Sequence, residues 1–172
     1  MWSLLLALLL PWACCGTARA ESEATVKAAY LLNFAKLVEW PASAFSAGQP
    51  LVIGVVGRDA LVEELSRVFA GASANGHKIE VRRVAASDAG ALLGCHLVFV
   101  QEAERGESVI GAVQGRPVLV VGEAENFARR GGALGFVKEA GTLKFEANPK
   151  AATRNGLIVS AKLLRVARSV VE

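Results

Sequence analysis

The sequence is poor in the side chains that carry chemistry: its 172 residues include two histidines, three cysteines, one tyrosine and one methionine. A hydrolase needs a nucleophile with a base in reach, yet there is no Gly-x-Ser-x-Gly elbow, and His77 and His96 have no partner in the sequence around them. His77 follows Asn75-Gly76, a turn signal, where a solvated imidazole is the ordinary reading. Structural zinc takes about four ligands, and Cys95-His96 supplies two at most, so no metal is assigned. Glu63-Glu64 and Glu102, Glu104 and Glu107 fall on expected helix surfaces, so paired acid–base catalysis is unsupported. Neither a catalytic residue nor a cofactor is expected.

Clustered basic charge is missing too. The net charge is +3, and the doublets Arg82-Arg83 and Arg129-Arg130 stand apart, separated by apolar stretches. Binding phosphates needs Lys and Arg in a patch, so nucleic acid is not an expected partner. The apolar run Leu4 to Leu10 is too short for the roughly 20 residues of a membrane span. It leads through Pro11 to Ala18-Arg19-Ala20 and acidic Glu21, the pattern of a secretory signal peptide cut after Ala20, although no Lys or Arg precedes it. A lipid anchor on Cys14 or Cys15 is the competing reading, and Pro11-Trp12-Ala13 is a poor approach to one.

Without residues 1–20 the chain has 152 residues, 18 basic and 16 acidic, half of them apolar. That composition excludes disorder, and the length suits one domain, 21–172. One thiol remains, Cys95, so no internal disulfide can form. A lone exported cysteine is ordinarily buried and inert; intermolecular pairing or a redox role is the alternative.

What is present is a regular alternation. Residues 24–40 place Val26, Tyr30, Phe34 and Leu37 at helical spacing, ending at Trp40-Pro41. A loop over 41–50 precedes Leu51 to Gly57, an unbroken apolar run that predicts a strand buried on both faces. A helix over 60–70, a strand over 78–84, a helical turn at 88–93, a strand over 96–100, a helix over 102–114 and a strand over 118–121 follow. A short helix is expected at 126–129, a hairpin over 133–138 and 142–146, a helix opened by Asn148-Pro149, and a last helix over 160–170 packed on the sheet. The fold class is α/β: a single three-layer domain with a mostly parallel sheet, an antiparallel hairpin at one edge and helices on both faces. Gly54-x-x-Gly57 before Arg58 and a helix start offers an anion nest, with tight strand-to-helix turning as the plainer reading.

Two stretches carry a resemblance. Val26-Lys27-Ala28-Ala29-Tyr30-Leu31-Leu32-Asn33-Phe34-Ala35-Lys36-Leu37-Val38-Glu39-Trp40-Pro41, and Phe145-Glu146-Ala147-Asn148 with Gly156 to Ala167, resemble the YfiR-like family of periplasmic regulators. The resemblance implies a periplasmic repressor that binds the sensor domain of an inner-membrane diguanylate cyclase, lowering cyclic di-GMP signalling and biofilm formation. Where a family member uses disulfides for redox control, the chain without residues 1–20 has only Cys95. Partner- or ligand-binding candidates are Tyr30, Asn33, Phe34, Trp40, Arg58, Arg154, Lys162 and Arg165, with Cys95 as the redox candidate. A homodimer and a small-molecule effector are compatible with this reading. The alternative is a periplasmic small-ligand-binding protein in which Gly57, Arg58 and cationic residues near the C-terminal helix hold an anionic or aromatic compound, and an enzyme of unrecognised type stands third.

Overall fold

In the computed structural model the described residues are 23–171; the expected leader, with Cys14 and Cys15, lies outside them. Helix α1 (Glu23–Leu37) leads into β1 (Val38–Glu39), and then come β2 (Leu51–Val56), α2 (Asp59–Val68), β3 (Ser73–Ala74) and β4 (His77–Arg83). Next are α3 (Ala89–Leu93), β5 (Leu97–Val100), α4 (Gly106–Ala112) and β6 (Leu119–Gly122). The remainder is β7 (Leu134–Glu139), β8 (Thr142–Ala147), α5 (Pro149–Arg154), β9 (Ile158–Val159), α6 (Ala161–Val166) and β10 (Ser169–Val170).

Eight strands form one sheet in the order β10-β8-β7-β6-β5-β2-β4-β3, and β1 pairs with β9 separately. Strands β4, β2, β5, β6 and β7 run parallel, and β7 and β8 form the expected antiparallel hairpin. Every residue of β2, β5 and β6 is buried, which explains their unbroken apolar sequences. Alternate side chains feed two cores. Leu51, Ile53, Leu97, Phe99, Leu119 and Val121 pack with α1, α2 and α6 on one face. Val52, Val98, Val100 and Val120 pack with Leu92 of α3 and Val109 of α4 on the other. The architecture is therefore the three-layer α/β domain, each fully buried Leu, Ile or Phe contributing about 1.5–3 kcal/mol. No described helix is long and apolar enough to cross a membrane.

The structure differs from the sequence reading at several short elements. Helix α1 stops at Leu37, not Trp40, because Val38 pairs with Val159 and the Leu37 carbonyl accepts from Ser160 N at 3.1 Å. The expected last helix ends at Val166; Ala167 turns extended, and Arg168 N and Val171 N donate to Phe145 O and Ala147 O, adding β10 outside the hairpin. Residues 126–129 form turns instead of a helix, with Asn126 left-handed at φ 56°. His77 is no solvated turn residue: it opens β4, half-buried.

Candidate functional site

From β2 the chain goes to β4 on one side of the sheet, and from β5 it continues to β6 on the other. Such a switch point leaves a crevice outside the carboxyl ends of the strands, where open α/β sheets bind ligands. Here Gly57-Arg58 follow β2, Gln101 follows β5 and Glu123 follows β6. A cleft of about 640 Å³ opens beside them, with Phe136 and Leu143 of the hairpin in its lining.

Two cations in this cleft are each bracketed by carboxylates. Lys27 of α1 is only 7% exposed; its Nζ lies 2.7 Å from Glu23 and also pairs with Glu123. Glu23 reaches in addition Lys138, 2.6 Å away. Arg168 lies 2.9 Å from Glu139 and 3.0 Å from buried Glu146, which also accepts from the Ser169 hydroxyl. The network is self-consistent electrostatically. Burial pulls the Lys27 pKa down more than any other single influence, but the bonds from Glu123 and Glu23 together outweigh it and the net shift is upward. Lys138 first, then Lys27, hold Glu23 down at about 2. Lys144 and Arg168 lower Glu139. These shifts move the groups away from neutrality, whereas a general acid or base is most effective near the working pH. The arrangement suits binding and positioning better than proton transfer.

The turn at Gly57-Arg58, offered by the sequence as an anion nest with tight strand-to-helix turning as the plainer reading, is filled from within. Arg58 N donates to Gln101 Oε1 at 3.1 Å, and a Cβ on Gly57 would come within 2.8 Å of the same oxygen. The glycine is there so that Gln101 can close the turn.

The sequence-derived candidates do not converge on one site. Phe34 is fully buried, and Tyr30 is half-buried with its hydroxyl donating to Leu143 O at 3.0 Å; the two join Phe136 and Phe145 in an aromatic cluster. Trp40 is half-buried and donates through Nε1 to His96 O at the amino ends of the strands. Arg58 is exposed at the carboxyl ends, and Arg154 is exposed at the end of α5. Asn33 on α1 and Lys162 and Arg165 on α6 are exposed on helices that pack against the same core. Cys95 is buried, its Sγ donating to Ala91 O at 3.2 Å, and burial pushes its thiol up to about 11. Sequence reasoning missed Lys27, Gln101, Glu123, Glu146 and Arg168. The available signal was position: Gln101 and Glu123 each directly follow a buried parallel strand.

Residues 24–168 match the YfiR/HmsC-like family. No curated protein matches the chain. Among solved structures it is similar to the ABC domain in complex with L-Trp from Streptococcus pneumoniae, with 18% identity and a TM-score of 0.55 over 70% of this chain and 55% of that one. It is also similar to a conserved domain protein from Vibrio cholerae O1 biovar El Tor strain N16961, with 18% identity, a TM-score of 0.52 and the same coverages. These likenesses are of fold, and the chain spans 55% of the length of each.

Proposed function

The chain belongs to the YfiR/HmsC-like family, and from that premise we propose that it is a periplasmic regulatory protein that binds and represses the sensor domain of an inner-membrane diguanylate cyclase. The observation that carries this reading is the family match over residues 24–168, nearly the whole described chain. Periplasmic regulation of diguanylate cyclases is what that family suggests. In the cleft, charged groups held away from neutral pKa values favour a protein that acts by contact, with catalysis left to its partner.

The mechanism is differential binding. Repression requires tighter binding to the inactive conformation of the sensor domain than to the active one, and moving an equilibrium from 1:99 to 99:1 takes about 5.5 kcal/mol of preference. Asn33, Lys162 and Arg165, the exposed candidates carried by α1 and α6, would make that contact. Pull-down with the purified periplasmic domain of a membrane diguanylate cyclase, together with cyclic di-GMP measurement on deletion of the gene, tests the reading. Binding and a rise in cyclic di-GMP are expected; no binding and unchanged cyclic di-GMP overturn it.

The cleft at the strand switch point favours a second reading, a small-ligand binder or effector site. The Streptococcus pneumoniae neighbour was solved in complex with L-Trp, which makes amino acids with aromatic side chains the first compounds to screen. A ligand at 100 times its dissociation constant adds about 2.7 kcal/mol to stability, so a thermal shift reports it.

A further inference from the structure

Residues 41–50 close over the amino ends of the sheet, at the opposite end from the cleft, and both histidines of the chain hold them there. The Phe45 ring is sandwiched between them: its centroid lies 4.1 Å from that of His77, with 14° between planes, and 4.3 Å from that of His96, with 7°. His77 Nδ1 donates to Gln49 O at 2.7 Å, and His96 Nε2 donates to Ala44 O at 3.0 Å. Behind the ring, Val52 N donates to His96 Nδ1 at 3.0 Å, and Trp40 Nε1 donates to the His96 carbonyl at 3.2 Å. These partners fix the tautomer of His96. A backbone N–H can only donate and a carbonyl can only accept, so Nδ1 is bare and Nε2 carries the proton.

We propose that His96 is an acid-operated latch: neutral, it pins residues 41–50 across the amino ends of β2, β4 and β5, and on protonation at Nδ1 it releases them together with Phe45 and Trp40. The step is a simple proton uptake. A solvent proton takes the Nδ1 lone pair that had accepted from Val52, and two N–H donors then face each other at hydrogen-bond distance. The ring leaves, and water reaches the Val52 N–H, which is otherwise unsatisfied.

The surroundings on balance oppose the charged ring. His96 is 4% exposed. The loop 41–50, β2, α3, β5 and β6 contain no ionisable side chain, and the link between α3 and β5 contributes only the neighbouring Cys95 thiol, held protonated. The charges that act on His96 come from His77 and Arg82 of β4, and both disfavour a second cation. Burial is the largest influence and lowers its pKa; the bond to the Ala44 carbonyl, next in size, acts in the other direction, and the net shift is downward. The open form binds a proton at the ordinary value of 6.5 and the closed form does not, so the closed form loses ground as the pH falls below 6.5. His77 cannot work in this way. Its Nδ1 already donates to Gln49, and a second proton on Nε2 leaves that bond intact.

Nitrogen-15 NMR of the full chain between about pH 7.5 and pH 4.5 tests the latch. Below the midpoint, a one-proton latch changes its open-to-closed ratio about tenfold per pH unit. The protection factors of the Val52 amide and the Trp40 indole N–H are expected to fall by that ratio, while Val98 and Val120 in the sheet centre keep theirs. His96→Asn retains an acceptor for Val52 and cannot be charged, so its protection is expected to stay flat. Flat protection in the unsubstituted protein, an equal fall in His96→Asn, or a parallel loss at Val98 and Val120 overturns the proposal. If His96→Asn does not fold, the imidazole nitrogen shifts decide: protonation of His96 and loss of Trp40 protection must share one midpoint, and separate midpoints overturn it.

Discussion

Gly54 and Cys95 form a pair in which each side chain sets the limit for the other. A Cβ on Gly54 would sit 2.6 Å from Cys95 Sγ and 3.0 Å from Val84 Cγ2, inside a core packed from both neighbours. Gly54→Ala is therefore expected to cost about 1–3 kcal/mol by overpacking, and Cys95→Ala about 1 kcal/mol by the small void it leaves. The double variant should lose clearly less than the sum, since the new methyl fills the space the sulfur vacates; strict additivity in a denaturant-melt cycle would contradict the packing argument. The same burial governs reactivity. With the thiol pushed to about 11, alkylation of native Cys95 at neutral pH should run at under about a hundredth of its rate in denaturant, read by mass spectrometry. At the surface, Glu23 acts in the opposite sense. Its depressed pKa stabilises the fold above its ordinary 4.5, and that contribution is lost as the pH falls through 4.5 toward about 2. Glu23→Gln should therefore flatten the stability profile across that window while leaving its shape above 4.5 unchanged.

The segment between β6 and β7 shows how an element can be specified by one side chain. Phe127 is 3% exposed and lies against three glycines, on β6, on α4 and in its own loop: an added Cβ at Gly122 would approach its ring to 2.4 Å, at Gly106 to 3.0 Å and at Gly132 to 2.1 Å. The left-handed Asn126 turns the chain so that the ring enters this cradle, which is why the expected helix at 126–129 does not form. Phe127→Ala should cost about 3–5 kcal/mol, and Gly122→Ala should lose stability through the same contact. Partial recovery of Gly122→Ala by Phe127→Leu, measured by thermal melts, would confirm that the ring is the obstacle, and no recovery would locate the strain elsewhere. Elements of this kind explain what was legible in the sequence. The buried parallel strands announce themselves as unbroken apolar runs, and Asn148-Pro149 marks α5 with the Asn148 side chain accepting from Ala151 N as a cap should. The two-residue strands β1, β3, β9 and β10 are too short for any periodicity, and their partners lie up to scores of residues away. The cleft was hidden for a related reason. Lys27 sits in a helix where a lysine reads as solvated, and only the arrival of Glu123 from the end of β6 makes it a buried ion-pair centre.

At the scale of the whole molecule the two ends of the sheet and its helical face are separate resources. The carboxyl end carries the ionic cleft, the amino end carries the loop held by the histidines, and α3 and α4 cover the second face of the sheet; on the proposed reading the protein partner takes the surface of α1 and α6. There Lys162 and Arg165 flank Val166, which is 67% exposed, and Ile158 of β9 is 60% exposed. An apolar centre with charged neighbours is the composition of an interface, and a stable one buries about 800 Å² on each partner, more than these residues alone provide. Asn33 is exposed on α1, which packs against α6. Rim charges act mainly on association rate and salt dependence, while the apolar centre sets residence time. Lys162→Glu with Arg165→Glu should then weaken sensor-domain binding about tenfold, chiefly in the association rate, and make binding less sensitive to salt. Val166→Asp should shorten residence time instead. Because all three side chains are exposed, the melting temperature should stay within about a degree or two of the parent. Loss of binding with an unchanged melt, measured by surface plasmon resonance at two salt concentrations, places the contact on this face; unchanged binding in both variants places it elsewhere on the molecule.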